Sequence, residues 1–206
     1  MTVREPSGQG VAAGRWGLVP WITAWSSEEA LPRQVVVRGR GIGYADETRA
    51  DRDVDGVLWG RNITSPGQGT PLFKAVHPVR QRRAMREVLC QVCGAPCRRD
   101  AVWLLSADEY AFGPWPAPIH TVQPPLCPEC VAGPVRLCPH FRRGHVLVRA
   151  RRFSLAGVGG MLYRRTPWGP RAVERTTVRY GDPEIRWMVA GQLITTLYEY
   201  TVARDE

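Results

Sequence analysis

The chain has 206 residues, 44% of them hydrophobic and 23% charged, the balance of an ordinary globular protein with one sizeable domain or two small ones. No run of 18 apolar residues occurs, which excludes a membrane-spanning helix and gives no reason to expect a membrane partner. The formal net charge is +9, with 27 Arg and a single Lys, Lys74. That sign favours a polyanionic partner such as nucleic acid, against the alternative of a soluble protein with solvated arginines.

Three segments follow in chain order. Residues 1–79 are rich in Gly, Pro and Trp. Gln34 to Arg38 reads as a short strand, Val57 to Trp59 as another, and Gly67 to Pro71 as a loop. Trp16, Trp21 and Trp25 are expected to dock this segment onto the rest of the molecule, because an exposed trio would aggregate. Residues 80–143 hold all six cysteines. They open on a helix expected over Gln81 to Leu89, led in by His77-Pro78. A strand is expected over Ala101 to Leu105, followed by an extended passage carrying Pro114, Pro116, Pro118, Pro124 and Pro125. Residues 144–206 read as antiparallel strands at His145 to Arg152, Met161 to Arg164 and Ala172 to Tyr180, with a turn at Gly157 to Gly160. A terminal helix is expected from Asp182-Pro183, an N-cap and first-position pair, to Tyr198. Its apolar face would be Ile185, Met188, Val189, Leu193 and Leu197. The fold class expected is α+β.

The cysteines carry the most specific signal. Cys90-Gln-Val-Cys93 and Cys127-Pro-Glu-Cys130 have 33 residues between them. Each pair can wrap a turn around one ion, and two such turns complete the tetrahedral four-thiolate shell that Zn²⁺ takes in structural sites. Gly94 stands where such a turn needs φ > 0, and Pro128 stiffens the second turn. The ligands expected are therefore Cys90, Cys93, Cys127 and Cys130. The chain lacks the tighter cysteine runs of ferredoxins, so zinc is favoured over an iron–sulfur cluster. Cys97 and Cys138 are expected to be small buried side chains, with Cys97, four residues after Cys93, and Cys138 with His140 as alternative ligand sources. The N-terminus, Met1 to Gly10, lacks a basic-then-apolar leader pattern. The expected location is cytoplasmic, where cysteines more readily hold metal than form disulfides.

Cys90-Gln-Val-Cys93-Gly94 with Leu126-Cys127-Pro-Glu-Cys130 resembles the zinc-ribbon and treble-clef group of zinc-binding modules. The resemblance covers about 45 residues and implies metal binding rather than one activity. A treble clef implies a helix starting at the second knuckle, where Gly133-Pro134 is expected to end one almost at once. With Arg82-Arg83 ahead of the first pair, the segment is also similar to the zinc-stabilised HNH endonucleases. That family implies a catalytic His between the knuckles, a place only His120 can take; its neighbours are Ile119 and Thr121 rather than Asp or His. The segment order and arginine content resemble those of actinobacterial proteins and imply no particular activity.

Two further motifs are weaker. Asp51-x-Asp53-x-Asp55-Gly56 matches the first half of a calcium loop, but Asn62 stands where a bidentate Glu is expected, so an acidic turn is the preferred reading. Gly39-Arg-Gly41-Ile-Gly43 follows a strand with no helix after it, which suits a hairpin turn better than a phosphate loop. The arginines cluster at Arg80, Arg82, Arg83 and Arg86 before the first knuckle, at Arg98 and Arg99 after it, and at Arg142, Arg143, Arg149, Arg151 and Arg152 beyond the second. The reading reached from sequence is a zinc-stabilised, non-enzymatic protein that binds nucleic acid or a nucleic-acid-associated partner through these clusters, with no catalytic residue assigned. The alternatives are an atypical HNH-like metal-dependent nuclease using His120 or His145, and a protein–protein adaptor contacting its partner through the Trp-rich segment.

Overall fold

A computed structural model describes residues 16–97, 101–111 and 117–203. Arg98, Arg99, Pro114 and Pro116 lie outside the described residues. In chain order the elements are β1 (Thr23–Trp25), β2 (Val35–Arg38), β3 (Gly41–Tyr44), β4 (Pro71–Val76), α1 (Pro78–Glu87), β5 (Trp103–Ser106), α2 (Ala107–Ala111), β6 (Ile119–Thr121), α3 (Ala132–Leu137), β7 (His145–Ala150), β8 (Phe153–Thr166), β9 (Gly169–Arg179), β10 (Met188–Leu197) and β11 (Tyr200–Ala203). They make a mixed fold with four antiparallel sheets, ordered β6-β10-β8-β9, β11-β7-β5, β1-β4 and β2-β3. No helix among the described residues is long and apolar enough to cross a membrane.

Two of the apolar cores position everything else. One joins the cysteine segment to the three-stranded sheet: Trp103, Leu105, Leu126, Val148, Leu197 and Tyr200 pack around Cys90 and Cys97. The other lies between α1 and the four-stranded sheet, where Met85 meets Trp59, Val158 and Leu193. The expected helix before the first knuckle is present as α1, with Pro78 in its first turn. It ends at Val88, whose φ of 54° is left-handed. A β-branched residue is strained there, and the turn sends the chain straight into Cys90.

The terminal helix expected from Asp182 to Tyr198 is corrected to a strand. Asp182 does cap, its carboxylate accepting from the Glu184 N–H at 2.8 Å, but the cap starts one 3-10 turn over Pro183–Trp187. The chain then runs extended as β10. Val189, Ile194, Thr195 and Thr196 are β-branched and Gly191 disfavours helix, so local propensity already leans to strand. The apolar spacing misled because β10 is a central strand buried on both faces, and such strands lose the period-2 signal. The turn expected at Gly157 to Gly160 is likewise the middle of β8. A Cβ at Gly157 would strike the Val178 carbonyl, and one at Gly160 the Val189 carbonyl. These glycines let neighbouring strands approach closely rather than letting the chain reverse.

The strand expected at Val57 to Trp59 is corrected to two isolated bridges, Arg52–Leu58 and Trp59–Ala190, while the expected turn at Gly39 to Gly43 is present. Gly39-Arg40 closes the β2–β3 hairpin, with Arg38 opposite Gly41. Of the three tryptophans expected to dock this segment, Trp25 is buried and Trp21 half-buried, but Trp16 is exposed; the Trp21 and Ile22 N–H groups donate to Val92 O (2.9 Å) and Gln91 O (3.2 Å) of the first knuckle. The expectation that Gly133-Pro134 ends a helix after the second knuckle is corrected: α3 runs through both residues. In α3, Pro134 falls within the first turn, where a missing N–H costs nothing.

Candidate metal centre

The first knuckle is a tight hairpin. Cys90 N–H donates to Ala95 O at 2.7 Å, Gly94 N–H to Cys90 O at 2.8 Å, and Cys97 N–H back to Val88 O at 2.9 Å. Gly94 has φ 75°, and a Cβ there would press on the Trp21 indole at 3.1 Å. Only glycine meets both demands. The second knuckle is anchored by a reciprocal pair between Leu126 and Val102, at 2.7 and 3.0 Å. A 3-10 turn over Pro128–Cys130 then closes with Cys130 N–H on Cys127 O at 3.0 Å. Gln91 ties the two knuckles together: its N–H donates to Pro125 O at 2.9 Å and its side-chain amide to Pro124 O at 2.8 Å.

These two turns bring the four sulfurs of Cys90, Cys93, Cys127 and Cys130 within 4.8 Å of one another. Cys93 Sγ lies 3.8 Å from Cys127 Sγ, and Cys127 Sγ lies 3.6 Å from Cys90 Sγ. A tetrahedral shell with metal–sulfur bonds of about 2.3 Å needs sulfur separations of about 3.8 Å. The cluster could hold one metal ion, and two of its separations already match that shell.

The electrostatics fit as well. The Cys90 thiol is drawn down to about 4, chiefly by a hydrogen bond from Cys97 and then by backbone N–H groups at Cys127, Cys93 and Val92, against the opposing effect of burial. Cys97 is pushed far up by donating to Cys90 and by burial. Burial also raises Cys127, and it raises Cys130 to about 12. One thiolate, at Cys90, is thus favoured in the pocket on its own, while burial and the neighbouring sulfurs oppose ionisation of Cys127 and Cys130. A bound cation reverses that balance by compensating the added negative charge. Cys97 was expected to be a small buried thiol, with a competing ligand as the alternative. It is buried and stands outside the four-sulfur cluster. Cys138 ends α3 and is not part of the cluster.

The arginines divide into two kinds. Arg86 bridges Asp53 at 2.8 Å and Asp55 at 3.0 Å. Arg82 lies over the Trp59 ring at 4.4 Å, and Arg83 pairs with Glu87 one helical turn on, at 3.1 Å. The carboxylates of the calcium-like motif are spent in the same way, Asp51 on Arg61 at 2.6 Å and Asp53 also on the Trp59 indole N–H at 2.8 Å. Beyond the second knuckle, Arg142 and Arg143 sit on a 3-10 turn over Phe141–Arg143. Arg149 lies on β7, and Arg151 just past its end. All four are exposed. His120 is exposed on β6, its Nδ1 2.7 Å from Thr196 Oγ1. His145 opens β7, half-buried, its ring 6.5 Å from that of Phe141.

No protein-family model, curated protein or solved structure matches this chain.

Proposed function

We propose that this chain is a zinc-stabilised, non-enzymatic protein that binds nucleic acid, directly or alongside a nucleic-acid-associated partner. Zinc is the occupant because four thiolates at these separations form the closed shell of a structural zinc site, in the manner of the zinc-ribbon and treble-clef modules. The observation that supports the contact surface is the state of the arginines past the second knuckle. Arg142, Arg143 and Arg151 are exposed and form no ion pair among the described residues. They flank the metal-braced segment, where a fixed backbone presents guanidinium groups to phosphates. Arg82, Arg83 and Arg86, by contrast, are engaged within the chain.

The test is fluorescence anisotropy with labelled oligonucleotides over a salt series. Log affinity falls linearly with log salt, and replacing Arg142, Arg143 and Arg151 by Gln flattens the slope by roughly 0.7–0.9 for each phosphate no longer neutralised. No association at low salt overturns the nucleic-acid reading and leaves the adaptor alternative ahead. Divalent-metal-dependent cleavage of the probe would instead favour the nuclease.

A further inference from the structure

The β8–β9 hairpin outruns its sheet. β10 pairs with β8 only as far as Leu162, opposite Met188, whereas the β8–β9 ladder continues from Tyr163 opposite Ala172 to Thr166 opposite Gly169. The last four rungs are a two-stranded ribbon projecting past the neighbouring strand. Its base is braced from the side, since Arg164 reaches Glu184 in the 3-10 turn ahead of β10 at 2.6 Å. Its loop is only Pro167-Trp168. Thr166 Oγ1 donates to Gly169 O at 2.7 Å and accepts from the Trp168 N–H at 3.3 Å, and Pro167 fixes its own φ. The tip is therefore held in one shape before any partner arrives.

Trp168 is 94% exposed on that tip. A tryptophan ordinarily lays its large ring on the protein; this one is held off it. The charged residues of the projecting ribbon itself are Arg164, Arg165 and Arg171. Arg164 and Arg171 stand directly opposite each other across the ribbon, a pairing that like charges destabilise. Glu184 answers only Arg164, and Arg171 forms no ion pair among the described residues. Arg165, next along β8, points to the other face of the ribbon and is also exposed and without an ion pair among them. The exposed ring thus tops a ribbon that carries, on each of its two faces, an exposed arginine with no ion pair among the described residues.

We propose that this ribbon is a base-stacking finger: Trp168 takes an unpaired nucleobase on its indole face, and Arg165 and Arg171 hold the flanking phosphates of the same single strand. The proposal rests on the nucleic-acid reading above and makes it specific. Stacking on an aromatic with arginines alongside is the general mode of single-strand binding. A lipid surface suits the tip less well. Thr166, Pro167, Gly169 and Pro170 complete it, and one ring gives a bilayer little apolar area to hold.

Full-length metal-loaded protein decides the matter, using fluorescein-labelled oligothymidylate and, for comparison, a blunt duplex of equal phosphate number. Wild type is expected to prefer the single strand. Trp168→Ala weakens single-strand binding roughly 5- to 150-fold with the salt slope unchanged, while Trp168→Phe keeps most of the affinity. Arg165→Gln with Arg171→Gln lowers the slope by about 1.4, two phosphates at roughly 0.7 each. Because Trp168 is exposed, its variants should melt as wild type does, which separates a loss of stacking from a loss of fold. Wild type binding the single strand with Trp168→Ala equally tight overturns the finger and leaves the nucleic-acid reading standing. No wild-type binding removes both. Trp168-dependent flotation with phosphatidylserine-containing vesicles, without single-strand binding, overturns the finger in favour of a membrane contact.

Discussion

The side-chain amide of Gln81 pairs with both backbone groups of Leu193. Its Nε2 donates to Leu193 O at 3.0 Å and its Oε1 accepts from Leu193 N–H at 2.9 Å. The second Nε2 hydrogen reaches Val122 O at 2.8 Å. Gln81 is fully buried in α1. It stands in for a missing rung on the edge of β10, between β6 at Thr195–Leu197 and the Leu58 and Gly60 bonds to Ala190. A helix is thereby keyed to a strand at one register.

Gln81→Leu keeps the apolar volume and strands a buried N–H and two carbonyls. Each unsatisfied group costs about 1–3 kcal/mol, and partial relaxation brings the expected loss to about 2–4 kcal/mol. Urea unfolding followed by tryptophan fluorescence measures it. A variant as stable as wild type would mean that the amide pairing carries no net stability.

For the metal centre, purified protein is expected to carry one zinc per chain by elemental analysis. Iron, or less than half a zinc, would contradict the proposed site. Cys93→Ser and Cys130→Ser each remove a ligand and forfeit much of the metal's contribution to folding, on the order of several kcal/mol. Cys97→Ser leaves the shell intact and retains a hydroxyl near Cys90, so the zinc content holds and the melting shift is small. Equal losses in the three variants would make Cys97 a ligand.

The parts legible in the sequence were those set by local chemistry. The Cys-x-x-Cys spacing, Gly94, the Asp182 cap and the β2–β3 hairpin each encode a turn that neighbouring residues impose. The strands at Val35, Trp103, His145 and Gly169 followed from β-branched or apolar runs. What stayed hidden depends on distant partners. β10 looked helical because burial on both faces erased its alternation. The Gly157–Gly160 run looked like a turn because the carbonyls it accommodates belong to β9 and β10. The fate of Arg86 was invisible because Asp53 and Asp55 lie more than thirty residues away. Trp168 has no spacing motif; only its exposure on a ribbon tip distinguishes it from the other tryptophans among the described residues.

Arg86 leads to a prediction about stability rather than binding. The Asp53 carboxylate is almost fully enclosed and accepts from the Asp55 and Val57 N–H groups, the Trp59 indole and Arg86. Arg86→Gln removes its only ion pair with a described residue and is expected to cost about 1–3 kcal/mol. Asp53→Asn with Arg86→Gln should recover part of that loss, because the buried negative charge is gone. Thermal melts of the single and double variants form the cycle. A fully additive result would mean that the two side chains do not interact.

The last prediction concerns acid. Glu28 is buried and grips Arg80 with both oxygens, at 2.7 Å each, while Arg80 also donates to Thr23 O at 2.7 Å. Burial pushes the Glu28 carboxyl up, but the Arg80 guanidinium and the Trp25 and Ser65 N–H groups outweigh it and hold the group below its usual 4.5. A carboxyl depressed in the folded state adds stability above its unfolded value and loses that contribution as pH falls through the folded one. Wild type should therefore exceed Glu28→Gln by about 3–5 kcal/mol near neutrality, since the variant leaves Arg80 buried without a counter-charge. The gap should shrink steadily below pH 4.5 as wild-type Glu28 takes up its proton. Comparing the two proteins at each pH cancels the acid sensitivity of the thiolate site, which both share. Urea midpoints measured from about pH 7 to about pH 3 trace the gap. A difference that stays constant across that range would show that the Glu28–Arg80 pair does not set the acid limit of the fold.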